Sequence, residues 1–189
     1  MLTLNDIETL LQRRGHAQYS GEPVTQLQHA LQTATLAEAE GADDELVTAA
    51  LLHDLGHLVH EPVDGAVQEA GDTPTLRGID DLHQFIALPF LRGLFPDRVL
   101  GAIQGHVDAK RYLCATRPGY LEALSADSKR SLHLQGGVFD AAQAQGFIDQ
   151  PGAEDAVRLR LWDDVAKSAD ALTPPLAHFI ARARRCALC

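Results

Sequence analysis

His53 and Asp54 stand side by side at the end of an apolar run. His57 follows four residues after His53, so a continuous helix would place both imidazoles on one face, one turn apart. His53 also continues the apolar positions of Leu46 and Ala50 at the spacing of a core-facing stripe. Buried imidazole and carboxylate groups need strong partners, and a metal ion is the strongest available. This stretch therefore predicts a buried metal site.

Other histidines and acidic residues recur along the chain, each on a separate predicted helix or at its end. A single histidine on a helix is more often a structural or surface residue than a ligand, and four are interpreted in that way: His16, His60, His133 and His178. The order and context of the others favour one shared site. That series consists of Tyr19, His29, His53 with Asp54, His83, His106 and Asp163.

The composition is that of a helical globular protein. With 189 residues, of which 46% are hydrophobic and 5% aromatic, the chain suits one domain with a full core. Abundant Ala and Leu with few aromatics favour helices over sheets. The net charge of −10 makes non-specific nucleic-acid binding unexpected, because such binding needs a basic face.

Neither the hydropathy nor the cysteine pattern indicates a membrane or secreted protein. No apolar run approaches the roughly 20 residues that span a bilayer, and the first residues do not resemble a signal peptide. We therefore expect a cytoplasmic protein without a membrane partner. Cys114, Cys186 and Cys189 form no disulfide framework. The last two have C-x-x-C spacing but lack the strand-to-helix context of a redox motif.

The pattern along the chain predicts about eight helices in a single all-α domain covering residues 1–189. Thr3, with Asp6 three residues later, predicts a capped helix within residues 1–15. The helical pattern dissolves between residues 60 and 80, where a lid over a site and a plain surface insertion remain alternatives. A last helix and a basic tail occupy residues 175–189.

The ordered series and its flanking residues resemble the HD-domain metalloenzymes, which are helical proteins. The resemblance to one branch, the phosphonate-degrading mixed-valent diiron oxygenases related to myo-inositol oxygenase, covers nearly the whole chain. It rests on six segments: 19–24, 26–30, 51–57, 105–110, 131–137 and 160–167. The resemblance implies a compact HD-domain helical bundle that holds two iron ions as an Fe(II)/Fe(III) pair and uses dioxygen as co-substrate.

The resemblance also implies a set of metal ligands. The first iron would be held by His29, His53, Asp54 and Asp163, and Asp54 would bridge to a second iron held by His83 and His106. Imidazole and carboxylate ligands with open positions suit non-haem iron. The helical pattern around Asp163 does not distinguish it from Asp164 as a ligand, and the family pattern favours Asp163.

Substrate contacts follow from the same resemblance. Tyr19 would occupy the second iron until substrate displaces it, and Glu22 would meet a cationic nitrogen of the substrate. His57, Lys110 and Arg160 each lie one predicted helical turn from a proposed ligand, where together they could hold a phosphonate. Ser128 or Ser131 could add a hydroxyl. The alternative is that the two longer side chains form ordinary ion pairs: Lys110 with Asp108, and Arg160 with Glu154 or Asp164.

The implied reaction is the O2-dependent cleavage of a carbon–phosphorus bond. That bond has no easily protonated leaving oxygen, so attack by a metal-bound water offers little. The implied substrate is a 1-hydroxy-2-(amino or trimethylammonio)ethylphosphonate, and the products are phosphate and glycine or glycine betaine. One alternative is an HD phosphohydrolase that acts on a nucleotide or phosphate ester with Mn, Co or Mg. Another is a regulatory module without turnover. The sequence leaves the oligomeric state open.

Overall fold

The structure is a computed structural model that describes residues 2–19, 21–59 and 75–188. Within these ranges the chain forms twelve helices and no strand beyond two isolated bridges, which confirms the predicted all-α class. The helices are α1 (Leu4–Arg14), α2 (Gln26–Ala39), α3 (Asp44–Leu52), α4 (Leu55–Val59), α5 (His83–Ile86), α6 (Leu88–Leu91), α7 (Asp97–Thr116), α8 (Tyr120–Ala123), α9 (Ala126–Leu134), α10 (Ala141–Ile148), α11 (Ala153–Val165) and α12 (Leu176–Cys186).

Side-chain caps set where the principal helices begin. Thr3 and Thr25 each form a capping box with the third residue of the following helix, and Asp43 accepts a hydrogen bond from the Leu46 amide at the start of α3. Each such cap stabilises its helix by about 1 kcal/mol. Thr25 therefore determines that α2 begins at Gln26.

Helix α3 lies at the centre of the core. Every residue from 46 to 52 is buried, and the helix packs against α2, α7, α11 and α12. Complete burial of each leucine contributes about 1.5–3 kcal/mol. Helix α11 also packs against α2 and α7. The four helices α2, α3, α7 and α11 therefore pack together, and the His53–Asp54 doublet follows the end of α3.

The stretch that carries the doublet is not one continuous helix. Helix α3 ends at Leu52, His53 and Asp54 form a turn, and α4 begins at Leu55. The His57 amide donates to the Asp54 carbonyl at 3.0 Å, which is the tighter i+3 spacing of a turn. Gly56 allows α4 to lie directly against the backbone of His83, because a Cβ there would overlap it. The expectation of a single helical face was therefore wrong.

Two predicted boundary segments differ in how far the structure describes them. The C-terminal helix covers Leu176–Cys186, inside the predicted range of 175–189. Most of the predicted loop, residues 60–74, lies outside the described residues, so the lid stays a prediction. None of the described helices is both long and apolar enough to cross a membrane.

Candidate metal and anion site

Three helices bring the first group of predicted ligands together. His29 lies on α2, His53 ends α3 and Asp163 lies on α11, and their side chains are at most 2% exposed. The Nε2 atoms of His29 and His53 are 3.2 Å apart. The Asp163 Oδ1 atom lies 3.3 Å from the first nitrogen and 4.0 Å from the second.

A second pair of histidines lies beside the first group. His83, at the start of α5, and His106, in the middle of α7, place their Nε2 atoms 3.1 Å apart. His83 is 8% exposed and His106 is 1% exposed. Burial, with His83 and His53 as further causes, holds the pKa of His106 well below its ordinary value, so this imidazole is neutral.

Asp54 lies between the two groups and turns one oxygen toward each. Its Oδ2 atom is 3.5 Å from His29 Nε2 and 3.3 Å from His53 Nε2. Its Oδ1 atom is 3.4 Å from His83 Nε2 and 3.7 Å from His106 Nε2. Although burial opposes it, the surrounding histidines hold the pKa of Asp54 well below its ordinary value. A carboxylate in this position can bridge two cations.

The hydrogen bonds of the histidines determine which ring nitrogens remain available. The Nδ1 atoms of His29, His53 and His106 face the carbonyl oxygens of Ala166, Ala50 and Ile103 at 2.9, 2.9 and 2.6 Å. The Nδ1 atom of His83 lies 2.8 Å from an Asp81 carboxylate oxygen. Because these oxygens only accept, each Nδ1 carries a proton, which leaves Nε2 as the ring nitrogen that faces the site and can bind a metal.

The short separations between these nitrogens suit a shared metal ion. In each histidine pair the two Nε2 atoms face each other at 3.1–3.2 Å. Two buried carboxylate oxygens that face these nitrogens, Asp54 Oδ2 and Asp163 Oδ1, accept no hydrogen bond from any described residue. Two groups of donors drawn from these residues therefore fit metal ions, with Asp54 common to both: His29, His53 and Asp54, and Asp54, His83 and His106.

Tyr19 covers the first group from the loop between α1 and α2. Its ring stacks on His29 with a centroid distance of 3.9 Å. Burial, and then Asp54 and Asp163, raise the pKa of the Tyr19 phenol well above its ordinary value, so the phenol is neutral. Glu22 belongs to the same loop, and its amide donates to the Tyr19 carbonyl at 2.9 Å.

Two buried cations line the other side of the site. Arg160 is 5% exposed and donates to Asp163 Oδ2 at 2.8 Å, and it also pairs with Asp164. Lys110 is 2% exposed and donates to the Ser131 hydroxyl at 2.8 Å. Burial, with Arg160 as the next cause, lowers the pKa of Lys110 to about 7.

The alternative expectation was that Lys110 and Arg160 form ordinary ion pairs. Asp108, the alternative partner of Lys110, pairs with Arg111 at 3.0 Å. Arg160 does pair with Asp164, but in the interior rather than on the surface, and Tyr120 donates to the same carboxylate. Asp164 therefore supports the arginine, whereas Asp163 faces the histidines.

The predicted site residues converge on one place. Eleven of the thirteen line a cavity of about 60 Å³, and the other two, His29 and His53, contact its Asp54 and Asp163 walls. Both candidate serines line the cavity, Ser131 beside Lys110 and Ser128 beside Lys167. The individual roles of the thirteen residues stay predictions.

Asp81 was not predicted from the sequence. One of its carboxylate oxygens lies 2.8 Å from His83 Nδ1 and the other lies 2.7 Å from His57 Nδ1. Although burial opposes it, Asp81 and Asp54 raise the pKa of His57 to about 9. A cationic His57 suits an anion better than a metal. Asp81 follows an irregular stretch of chain, so no periodicity indicated it, although a carboxylate two residues before a ligand histidine was a signal.

Comparison with known proteins places this geometry in a class. Residues 27–141 match the family model of the HD domain, and the chain therefore belongs to that family. The described helices carry groups of histidine and aspartate side chains that could hold metal ions.

Two relatives define the branch within the class. One, from Leisingera caerulea, is a [1-hydroxy-2-(trimethylamino)ethyl]phosphonate dioxygenase (glycine-betaine-forming), with 39% identity over 93% of this chain and 86% of the relative. The other, from Gimesia maris, is a hydroxymethylphosphonate dioxygenase, with 38% identity over 94% of this chain and 84% of the relative. The chain is a member of the HD-domain oxygenases that these proteins represent.

Proposed function

We propose that the protein is a diiron oxygenase that cleaves the carbon–phosphorus bond of a 1-hydroxyphosphonate. The substrate would be a 1-hydroxy-2-(amino or trimethylammonio)ethylphosphonate. One O2 balances the reaction without another reductant, because RCH(OH)PO3H2 and O2 together contain the atoms of RCOOH and H3PO4. The products would be phosphate and glycine or glycine betaine.

One observation carries this proposal: two pairs of imidazole Nε2 atoms lie on either side of a single carboxylate. The Nδ1 contacts leave the Nε2 atoms of each pair facing each other at 3.1–3.2 Å, and Asp54 turns one oxygen to each pair. Imidazole and carboxylate donors with open positions are typical of non-haem iron. The names of both relatives add dioxygenase activity on a phosphonate.

The metal ligands would be His29, His53, Asp54 and Asp163 for one iron, and Asp54, His83 and His106 for the other. An Fe(II)/Fe(III) pair would supply O2 activation and a Lewis acid for the substrate oxygens. The protein contributes fixed ring orientations, because each Nδ1 is anchored to a carbonyl or to Asp81.

The phosphonate would lie against Arg160 and Lys110. Both are almost completely buried on the cavity wall, and they make charge-assisted hydrogen bonds stronger than those between neutral groups. Arg160 is held in place by Asp163, Asp164 and Tyr120. The Ser131 hydroxyl accepts a hydrogen bond from Lys110, and His57 adds a third cation to the lining of the cavity.

The Tyr19 loop would respond to substrate. Tyr19 and Glu22 both line the cavity, and substrate would displace the phenol while Glu22 accepts its cationic nitrogen.

The proposal is tested by phosphate release from the amino and trimethylammonio substrates, measured side by side under O2 and under argon. Iron-loaded protein should release phosphate only with O2, consume one O2 per phosphate, and bind two irons per chain. Equal phosphate release under argon would overturn the oxygenase and indicate hydrolysis. A His83→Ala protein should lose the O2-dependent reaction, whereas a phosphohydrolase that uses only the first metal would retain its rate.

A further inference from the structure

Lys167 lies where the proposed substrate contacts meet. It follows α11, and its Nζ atom is 3.3 Å from Glu22 Oε1, 3.5 Å from Ser128 Oγ and 5.8 Å from the centre of the Tyr19 ring. Its side chain is 13% exposed and that of Glu22 is 14% exposed, so the ion pair is largely shielded from water. No role had been predicted for this lysine.

The contact between Lys167 and Glu22 is an ion pair without a good hydrogen bond. Glu22 Oε1 is buried and accepts no hydrogen bond from any described residue, although the lysine ammonium is 3.3 Å away. The carboxylate therefore has a counter-ion but still lacks a donor. A buried acceptor of this kind is completed by a ligand that brings its own donor or positive charge.

We propose that Lys167 is a specificity-determining residue, the internal counter-ion of Glu22 that a cationic substrate nitrogen replaces. The inference rests on the proposed function, because it takes Glu22 as the nitrogen contact. The Glu22–Lys167 pair presents one negative and one positive charge, as does a zwitterionic aminoalkylphosphonate. When such a ligand binds, its nitrogen takes the place of the ammonium beside Glu22.

The lysine then sets the selectivity between cationic and uncharged substrate tails. For an uncharged tail, Lys167 remains beside Glu22 and prevents an unpaired buried carboxylate, whose desolvation is costly. For a cationic tail, Lys167 must be displaced and opposes binding as a like charge. Lys167 thus lowers the preference for a cationic nitrogen and allows a phosphonate without one to bind.

The test uses two ligands that differ only in this charge: 2-aminoethylphosphonate and its near-isostere propylphosphonate. Neither has the 1-hydroxyl, and with zinc-loaded protein no turnover intervenes, so calorimetry gives both dissociation constants. Lys167→Met should raise the affinity ratio in favour of the amine by on the order of tenfold, as for a partly buried ion pair. Glu22→Gln should lower the same ratio.

Two matched variants keep the result interpretable. Lys129→Met removes a lysine whose ammonium is bonded to the exposed Glu122 carbonyl on α8, and it should leave the ratio unchanged. Lys167→Arg retains the charge and should keep the ratio within about twofold of the wild-type value. If Lys167→Met does not fold, Lys167→Gln takes its place under the same expectation.

An unchanged ratio in the Lys167 variants, with binding of both ligands intact or equally weakened, would overturn the inference. It would indicate that the lysine binds the phosphonate or is structural. Failure of the proposed function has a different signature, because wild-type protein would then bind neither phosphonate or would release no phosphate in the oxygen assay.

Discussion

The two groups of proposed metal ligands are positioned in different ways. His29, His53 and Asp163 come from three helices of nine or more residues that pack on one another, and they are at most 2% exposed. His83 comes from a four-residue helix that follows an irregular segment, and it is 8% exposed. Core packing positions the first group and, in the second group, His106 in the middle of α7, whereas His83 depends on a few local hydrogen bonds. We infer that ligand exchange is easier in the second group.

The irregular segment shows how His83 is held. Leu82 has a φ of 52°, the only left-handed conformation of a non-glycine residue among those described. Its side chain is 47% exposed. On the other side, the backbone of His83 presses against Gly56, where no Cβ fits. Backbone strain and close approach thus take the place of helix packing in positioning this ligand.

Removing one histidine from each group should give the largest contrast. His29→Ala should lose the first iron, and it should cost the metal-free protein about 2–4 kcal/mol because it opens a cavity in the core. His83→Ala should retain one iron and cost no more than about 1 kcal/mol. Iron content and urea unfolding of the metal-free proteins measure both effects. Equal destabilisation, or loss of both irons from His83→Ala, would contradict the comparison.

Asp81→Asn should weaken metal binding by the second group and leave the first group unaffected. An amide retains one acceptor but cannot accept from both His83 and His57. Loss of such a ligand-orienting carboxylate typically weakens metal binding 10–100-fold, so the second iron should titrate separately from the first. Competition with a chelator and the electron paramagnetic resonance spectrum of the proposed Fe(II)/Fe(III) pair report this. Asp108→Asn, which breaks a surface pair with Arg111, is the control and should leave both irons bound.

Lys110 should make phosphonate binding depend on pH. Its pKa of about 7 in the free site lies below the ordinary value of 10.5, and a bound phosphonate dianion raises it again. Binding should therefore take up a proton just above pH 7. The lysine contribution to affinity should then fall by up to about tenfold per pH unit as the pH rises. Calorimetry in buffers of different ionisation enthalpy measures the proton uptake.

Lys110→Gln should abolish that proton uptake, because glutamine keeps the hydrogen bond to Ser131 without a titrating group. The titration of the phosphonate itself is common to both proteins and cancels in the difference. The same pKa shift predicts that the free energy of unfolding of the metal-free wild type rises relative to the variant between pH 7 and 10.5, where the unfolded chain binds more protons. A flat difference across this range would contradict the shifted pKa.

The contrast between local and long-range contacts explains which structural features could be predicted from the sequence. The helices could be predicted because their signals act between residues close in the chain, such as the caps Thr3 and Asp43 and the apolar periodicity of α3. The ligand histidines could be predicted from their order and from the residues that flank them. The break after Leu52 is followed by the close approach of α4 to His83, a tertiary contact that no local pattern specifies. The pairing of Lys167 with Glu22 likewise joins residues far apart in the chain, and nothing local specifies it.

The smallest expected effect concerns the strain at Leu82. A left-handed conformation costs a non-glycine residue roughly 1–2 kcal/mol, and asparagine tolerates it better than leucine. Since the leucine side chain is 47% exposed, little burial is lost, and Leu82→Asn should stabilise the metal-free protein by about 0.5–1 kcal/mol. Leu172→Asn, at a position that is 96% exposed and outside the left-handed region, should leave the unfolding midpoint unchanged.

The effect of Leu82→Asn on affinity for the second iron distinguishes two roles for the strained backbone. If the left-handed turn serves only to fit the chain between α4 and α5, affinity for the second iron should stay the same while stability rises. If the turn holds His83 in the direction that metal binding needs, the relaxed variant should bind the second iron more weakly, by a few-fold, despite its greater stability. A chelator titration of the second iron decides between them. The first iron is the internal reference, since none of its ligands lies on this segment.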